Sequence, residues 1–155
     1  MSQPPEALAG LLYPCGVKGQ RLALTVLNET FGICRLESAA PVPAGLLELE
    51  FCSVTRAGAE LSIVAPEAAL RRAELPAEAR VEGGWACLAV EGPLELSLVG
   101  VLSALSGTLA RAGVSLFAIS TYDTDYLLVE GSNLPAAGAA LAEAGHSVSG
   151  LGDTR

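Results

Sequence analysis

The sequence predicts an α+β protein made of two consecutive βαββαβ units. Three observations lead to this prediction: the second half alternates strand-like and helix-like segments in that order, a hairpin-like segment occurs twice, and hydrophobic residues make up 51% of the chain. That hydrophobic content is ample for a packed core. A length of 155 residues also leaves room for two small domains.

The second half shows the order of elements most clearly. An apolar run at residues 85–90 ends in Glu-Gly-Pro, which is typical of a strand followed by a turn. Leucines spaced by three and four residues then predict a helix with Ser97 as its N-cap and Gly113 as its stop. Residues 114–129 are typical of two strands joined by a polar turn. A helix capped by Asn133 and a short last strand complete a ferredoxin-like unit.

The first half resembles a weaker copy of the second. When Thr55 is aligned with Thr121, 66 residues later, both stretches consist of a strand, a polar turn and a strand, followed by helix-forming residues. Residues 22–28 and 32–36 are predicted as two strands around a Glu-Thr turn. The Pro- and Ala-rich residues 39–50 allow at most a short helix. We therefore expect the first unit to have a degenerate first helix.

The predicted division of the chain has three parts. Residues 1–20 form an N-terminal extension, residues 21–80 a first domain and residues 81–155 a second domain. A linker is expected within residues 73–84, where Pro76 and a pair of glycines interrupt the pattern. Because each small domain buries little apolar surface by itself, the two are expected to share an interface.

The charge and composition exclude several classes of function. A net charge of −8 and a pI near 4.5 oppose binding to nucleic acid or to anionic lipid. No segment approaches the roughly 20 apolar residues that a membrane helix needs, and the N-terminus does not have the pattern of a signal peptide. We therefore expect a cytoplasmic protein.

The residue types that usually carry catalysis are scarce. The four cysteines are widely spaced without a CxxC pair, so they are expected in the core and not in a metal site or a disulfide. His146 is the only histidine, and its place after the last predicted helix favours a surface or capping role. No pair of carboxylates has the arrangement of a glycosidase site. The sequence therefore predicts no enzyme activity, no metal and no cofactor.

The turn of the second hairpin concentrates polar groups. Residues 121–125 read Thr-Tyr-Asp-Thr-Asp. These side chains suit either a ligand amine or guanidinium, or the backbone of the turn itself. Asp125 begins the returning strand and is the stronger candidate for a ligand contact, whereas Asp123 is expected to be a solvated turn residue.

The loop before the long helix supplies a complementary group. Residues 92–100 lead into a helix N-terminus, whose N–H groups and partial positive charge suit a carboxylate. Gly100 either lets the backbone approach a ligand closely or only packs the helix against the sheet. In a ferredoxin-like unit this helix start lies beside the hairpin tip, so a zwitterion such as a free amino acid would meet both groups.

Three segments of the sequence resemble those of a known protein family. SVTRAGAELSIV, WACLAVEGPL and FAISTYDTDYLLV, together with the order of elements and the internal repeat, resemble the tandem ACT-domain proteins. The similarity is to the short bacterial relatives of the cytosolic arginine sensors called CASTOR, and it covers about residues 22–148. ACT domains sense small molecules, most often amino acids, and the ligand usually lies where two such domains meet. The resemblance implies a regulatory homodimer whose output is an altered association with another protein.

The resemblance also implies a set of ligand-binding residues. It places an acid that meets the charged nitrogen of the ligand, hairpin contacts, and backbone contacts at the start of the first helix of the second unit. In that order these positions are Asp125, then Thr121, Tyr122 and Thr124, then Val99, Gly100 and Val101. The alternative is a structural or protein-interaction module that keeps the fold and has no ligand.

Overall fold

A computed structural model describes residues 21–152, so the predicted N-terminal extension of residues 1–20 lies outside the described part. The strands are β1 (Ala23–Glu37), β2 (Ser53–Ala57), β3 (Glu60–Pro66), β4 (Arg80–Val90), β5 (Phe117–Ser120), β6 (Asp125–Glu130) and β7 (Ser147–Ser149). The α-helices are α1 (Glu67–Arg72), α2 (Val101–Arg111) and α3 (Leu134–Glu143), and 3-10 turns lie at Ala44–Leu46 and Gly131–Asn133.

All seven strands belong to one sheet. Its order is β2-β3-β1-β4-β6-β5 with antiparallel neighbours, and β7 pairs in parallel with the first residues of β1. The mixed α+β class predicted from the sequence is confirmed.

The two halves of the chain have a related order of strands in the sheet. Strands β1, β2, β3 and β4 are arranged as β4-β1-β3-β2, and a 3-10 turn stands where the first helix would be, as the Pro- and Ala-rich stretch predicts. Strands β4, β5, β6 and β7 repeat the order with α2 and α3, except that the start of β1 lies between β7 and β4. Strands β1 and β4 therefore take part in both halves.

The prediction of two strands around a turn at Glu29 and Thr30 is wrong. Strand β1 runs through these residues, and its pairing with β4 is irregular between Val26 and Thr30. A bulge of this kind accommodates turn-forming residues inside a strand when both flanking stretches keep their partners. Here the stretch before the bulge pairs with β4 and β7, and the stretch after it pairs with β4 and β3.

The predicted linker at residues 73–84 extends too far, because β4 begins at Arg80. Gly83 and Gly84 do not interrupt the structure but lie within β4, where the backbone comes close to the Glu67 side chain. A Cβ added at Gly83 would lie 2.6 Å from the Glu67 carboxyl carbon, and the Gly84 N–H donates to the same carboxylate at 2.9 Å. This bond and the neighbouring Arg71 lower the pKa of Glu67.

The start of α2 also differs from the prediction. The helix begins at Val101 with Gly100 as N-cap, because residues 95–98 form a separate turn closed by a hydrogen bond from Leu98 N–H to the Glu95 carbonyl. Ser97 is therefore not the N-cap. Gly100 has a φ of 91°, a left-handed conformation that an L side chain rarely adopts.

Three groups of apolar side chains hold the layers together. One lies between the sheet and the helices α2 and α3, and a second lies under α1 and the first 3-10 turn. The third covers part of the other face of the sheet, where the Phe51 ring stands 5.3 Å from Phe31 and 4.9 Å from Tyr126. Phe51 lies in the loop just before β2, and its ring connects this loop with β1 and β6.

The cysteines within the described residues occupy the core positions that their spacing predicts. Cys34 and Cys87 are fully buried and Cys52 is half-buried, while Cys15 lies outside the described residues. Burial raises the pKa of the Cys87 thiol to about 12. These thiols are therefore protonated at neutral pH and serve as small apolar side chains.

Candidate ligand-binding site

A cavity of about 200 Å³ lies at the edge of the sheet where β4 and β5 end and β6 begins. One wall is the loop between β4 and α2, with the first residue of that helix, and the other wall is the turn between β5 and β6. The lining residues are Leu94, Glu95, Leu96, Leu98, Val101, Ser120, Thr121, Tyr122, Asp123, Thr124 and Asp125.

The turn between β5 and β6 is rigidified by its own threonines. The Thr121 N–H and hydroxyl both donate to the Thr124 carbonyl, at 2.8 and 2.9 Å, and the Thr124 N–H donates to the Thr121 hydroxyl at 3.2 Å. The Thr124 hydroxyl donates to the Val90 carbonyl at the end of β4. Both threonine hydroxyls therefore form hydrogen bonds with backbone groups. This agrees with the alternative in which the polar side chains stabilise the turn itself.

The loop that forms the first wall is attached to this turn. The Leu94 N–H donates to the Asp123 carbonyl at 2.7 Å. A Cβ added at Gly92 would lie 2.9 Å from that carbonyl oxygen and 3.3 Å from the Thr124 Cβ. The approach of loop and turn therefore requires glycine at this position, and it holds the two walls of the cavity together.

Acidic side chains belong to both walls of the cavity. Asp125 is half-buried and accepts a hydrogen bond from the Ser120 hydroxyl at 2.5 Å. Asp123 and Glu95 add two more carboxylates, and no lysine, arginine or histidine is among the residues that line the cavity. The site is suited to an ammonium or guanidinium group.

The N-terminus of α2 lies at the same cavity. Val101, its first residue, is buried and contributes to the lining. The first hydrogen bond of the helix runs from the Ala104 N–H to the Gly100 carbonyl, at 2.9 Å. Because the N-cap residue is a glycine, no side chain at this position caps the first N–H groups of the helix. The partial positive charge of a helix start favours an anion at this wall. A helix start that favours an anion and a turn with two carboxylates that favour a cation thus border one small space.

The structure brings five of the seven residues implied by the resemblance to this cavity and leaves two beside it. Val99 does not line it and has its side chain 80% exposed, and Gly100 acts as the N-cap. The lining residues that lie to either side of the implied positions are Leu94, Glu95, Leu96, Leu98, Ser120 and Asp123. Asp123, expected to be a solvated turn residue, is exposed and also lines the cavity. The Gly92-Pro93 pair, which marks a loop after β4, was the available signal for the loop residues.

Four apolar side chains in or next to the two walls of the cavity face solvent. We call the four residues Leu96, Leu98, Val99 and Tyr122 the rim. Leu96, Val99 and Tyr122 are 71%, 80% and 77% exposed, and Leu98 is 36% exposed. Large apolar side chains that cluster on a surface are typical of contact sites.

In the described part of the first half, the residue that corresponds to Asp125 is paired with a cation. Glu60, which takes the place of Asp125 in the repeat, lies 3.6 Å from the Arg35 guanidinium on the neighbouring strand. A separate cavity of about 470 Å³ lies between the first 3-10 turn and α1, with Leu46, Leu49 and Ala69 in its lining. It opens where the second half has a full helix.

Two further findings concern the described residues 21–152. None of their helices has the length and apolar character needed to cross a membrane. No three acidic, histidine or cysteine side chains in this range come together as metal ligands would.

The comparisons with known proteins agree with this architecture. Residues 80–143 match the ACT domain family, and residues 29–71 match a second family described as an N-terminal domain. The part of the chain from residue 80 to residue 143 is thus similar to an ACT domain. The chain belongs to the same family as a structural-genomics target from Agrobacterium tumefaciens, which is 35% identical with a TM-score of 0.73 over 83% of this chain and 92% of that chain.

More distant structures share the fold alone. The ligand-free regulatory subunit of aspartate kinase from Thermus thermophilus is 12% identical with a TM-score of 0.59, over 78% of this chain and 96% of that subunit. The aspartate kinase of Clostridium acetobutylicum is 14% identical with a TM-score of 0.59, over 78% of this chain and 34% of the kinase. None of the curated proteins matches this chain at a significant level.

Proposed function

We propose that this chain is a non-catalytic regulatory protein that binds a small zwitterion, most simply a free amino acid, in the cavity between the β4–α2 loop and the β5–β6 turn. The observation that carries the proposal is the meeting of Asp125 and the N-terminus of α2 at one cavity of about 200 Å³. An amino acid has an ammonium for the first group and a carboxylate for the second.

The magnitudes are adequate for a metabolite sensor. Each charge-assisted hydrogen bond contributes roughly 1.5–3 kcal/mol. Two charged ends and apolar contact with Leu94 and Val101 would reach about −8 kcal/mol, which corresponds to micromolar affinity. The ACT domain match and the fold shared with aspartate kinase regulatory subunits support a sensing role.

The finer parts of the proposal follow the arginine-sensor resemblance. The two βαββαβ halves are tandem ACT units of residues 21–80 and 81–155, joined through β1 and β4. A homodimer in the cytoplasm brings two second units together, and the ligand changes its association with a further protein. In this arrangement Asp125 meets the charged nitrogen of the ligand, and Thr121, Tyr122 and Thr124 with residues 99–101 border it.

A thermal-shift screen of the twenty amino acids tests the proposal. A ligand present at about 100 times its dissociation constant stabilises the folded chain by roughly 2.7 kcal/mol. We expect at least one amino acid to raise the melting temperature of the wild type and to have no effect on Asp125→Asn. The amide keeps an oxygen that accepts from Ser120 but lacks the charge, so the fold is preserved.

The matched control is Glu48→Gln, which makes the same chemical change at an exposed residue outside the cavity lining. This variant should respond to the ligand like the wild type. If no amino acid stabilises the wild type, or if Asp125→Asn responds fully, the proposal is wrong.

A second candidate function is an interaction module with no ligand. The exposed rim favours it, as do the outer edges of β2 and β5, which have no strand partner within the described residues. An exposed sheet edge pairs readily with a strand of another chain. A flat response to all twenty amino acids, together with a concentration-dependent oligomeric state that Val99→Ser weakens, would favour this function.

A further inference from the structure

We propose that the cavity of about 470 Å³ between the first 3-10 turn and α1 is a docking groove for an amphipathic helix of another protein, and that the polar face of this helix carries lysine or arginine side chains. We call this cavity the α1 groove, and its lining includes Leu46, Leu49, Ala69, Arg72, Ala73 and Glu74. The proposal goes beyond the ligand site of the second half. It shares with the proposed function only the idea that a further protein associates with the chain.

The first observation is the apolar character of the groove. Leu46 and Ala69 belong to the buried core of the first half and are 2% and 8% exposed. Leu49 and Ala73 are half-buried and pack against the same core. Leu47, the residue after Leu46, has its side chain 62% exposed. The groove therefore reaches core side chains and stands next to an exposed apolar one, a combination that is typical of contact sites.

The second observation is a difference between two connections of the sheet. Between β4 and β5 the chain forms α2, a helix of 11 residues that buries Val101, Leu105 and Leu109 against the sheet and α3. Between β1 and β2 the chain forms only the 3-10 turn Ala44–Leu46, and the α1 groove opens beside this turn. An amphipathic helix with apolar residues spaced by three and four thus fills the second half at the place where the first half has a groove. A helix of the same kind is the occupant that fits.

The third observation is the charge at the border of the groove. Glu74 is exposed and belongs to the lining. Glu48 and Glu50 are also exposed and stand on either side of the lining residue Leu49. Arg72 is the cation of the lining, and the salt bridges among residues 21–152 involve neither it nor the three glutamates. Three acids against one cation, on a chain of net charge −8, favour a basic helix over a second copy of this acidic chain.

A stapled helical peptide with the sequence of residues 100–112 serves as the probe, because it carries the apolar stripe of α2. The staple is needed because short isolated helices are only marginally stable in water. In the probe, lysine replaces the residues at positions 103, 106 and 110, which lie on the polar face. One control peptide has glutamate at these three positions. A second control keeps the lysines and has Leu105→Asp, which interrupts the apolar stripe.

Titration of the isotope-labelled full chain with the lysine peptide, followed by its amide signals, tests the docking. We expect the signals of residues 43–49 and 69–74 to shift until the groove is saturated, and those of residues 120–125 at the ligand site to stay unchanged. Both control peptides should bind at least about tenfold more weakly, because one opposes the charge of the border and the other lacks an apolar anchor.

Substitutions at the border test the charge argument. Glu74→Lys should weaken the binding of the lysine peptide by about two- to fivefold, which is the range of exposed ion pairs, and Arg72→Glu should strengthen it by a similar factor. Both side chains are exposed, so the fold is preserved. The matched control is Glu143→Lys, which changes the net charge equally at an exposed residue of α3 outside the groove and should leave the affinity unchanged.

The proposal is overturned if residues 43–49 and 69–74 do not shift, if the lysine and glutamate peptides bind equally well, or if Glu74→Lys binds like the wild type. Shifts centred on residues 134–141 also overturn it, because the peptide then exchanges with α2. The same is true if the unlabelled full chain alone shifts the groove signals, since the occupant is then a second copy. These titrations contain no amino acid, so their failure leaves the ligand site to be judged by the thermal-shift screen.

Discussion

Gly92→Ala should separate the two walls of the candidate site. The new Cβ would lie 2.9 Å from the Asp123 carbonyl oxygen and 3.3 Å from the Thr124 Cβ, whereas ordinary contacts begin near 3.4 Å. The turn or the loop must therefore move by about half an ångström. Overpacking of this kind costs about 1–3 kcal/mol. The bond between Leu94 N–H and the Asp123 carbonyl, worth about 1 kcal/mol, is the contact that this movement would weaken.

Gly107→Ala is the matched control because it adds the same methyl group within α2. There the new Cβ would meet only the Arg111 Nη1 atom, at 3.5 Å. Replacing glycine by alanine inside a helix stabilises it by about 0.5–1 kcal/mol. Neither glycine has a positive φ, so backbone strain does not enter the comparison.

Urea denaturation of the three proteins measures both effects. We expect the free energy of unfolding to fall by about 1–3 kcal/mol in Gly92→Ala and to rise slightly in Gly107→Ala. The amide signals of residues 121–124 should shift in the first variant only. If Gly92→Ala is as stable as the wild type and its turn signals are unchanged, the described attachment of loop to turn is wrong.

Three further predictions concern the fold. Phe51→Ala should lower the free energy of unfolding, measured by urea denaturation, by about 2–4 kcal/mol. The control Leu47→Ala, at an exposed side chain, should lower it by less than about 0.5 kcal/mol. Equal effects would contradict the role of Phe51 between the two halves. Cys34 and Cys87 should resist a thiol reagent at pH 8 until the chain is unfolded, because burial raises the pKa of both thiols; rapid native labelling would contradict their burial. Burial lowers the pKa of His146, so the imidazole of the unfolded chain is protonated first as the pH falls. The free energy of unfolding should therefore decrease below about pH 6.5, and His146→Gln should reduce this decrease. Identical pH profiles of the two proteins from pH 7 to 5.5 would refute this.

Local signals in the sequence were enough to predict most elements. The leucines from Leu98 to Leu109 identify α2, and the polar residues 121–125 identify the turn that now forms one wall of the cavity. Both rest on spacing or composition within a short stretch, where periodicity and turn chemistry operate. The acid at Asp125 could therefore be singled out before its surroundings were known.

The features that the sequence did not predict depend on contacts between distant residues. Strand β1 continues through Glu29 and Thr30 because β3, β4 and β7 hold its two ends, and none of these partners is visible from the local pattern. Ser97 does not cap α2 because residues 95–98 form a separate turn, within a loop that is bonded to a turn about thirty residues later, from Leu94 to Asp123. The same bond brings Glu95 and Leu96 to the cavity.

The measurement that tests the central claim most directly is a two-dimensional amide spectrum of the full chain, recorded with and without a saturating mixture of the twenty amino acids. Our account predicts that the amide signals of Val101 and of residues 120–125 move, and that those lining the larger cavity beside α1 do not. Shifts confined to residues 43–49 and 69–74, or no shifts in the spectrum, would contradict it.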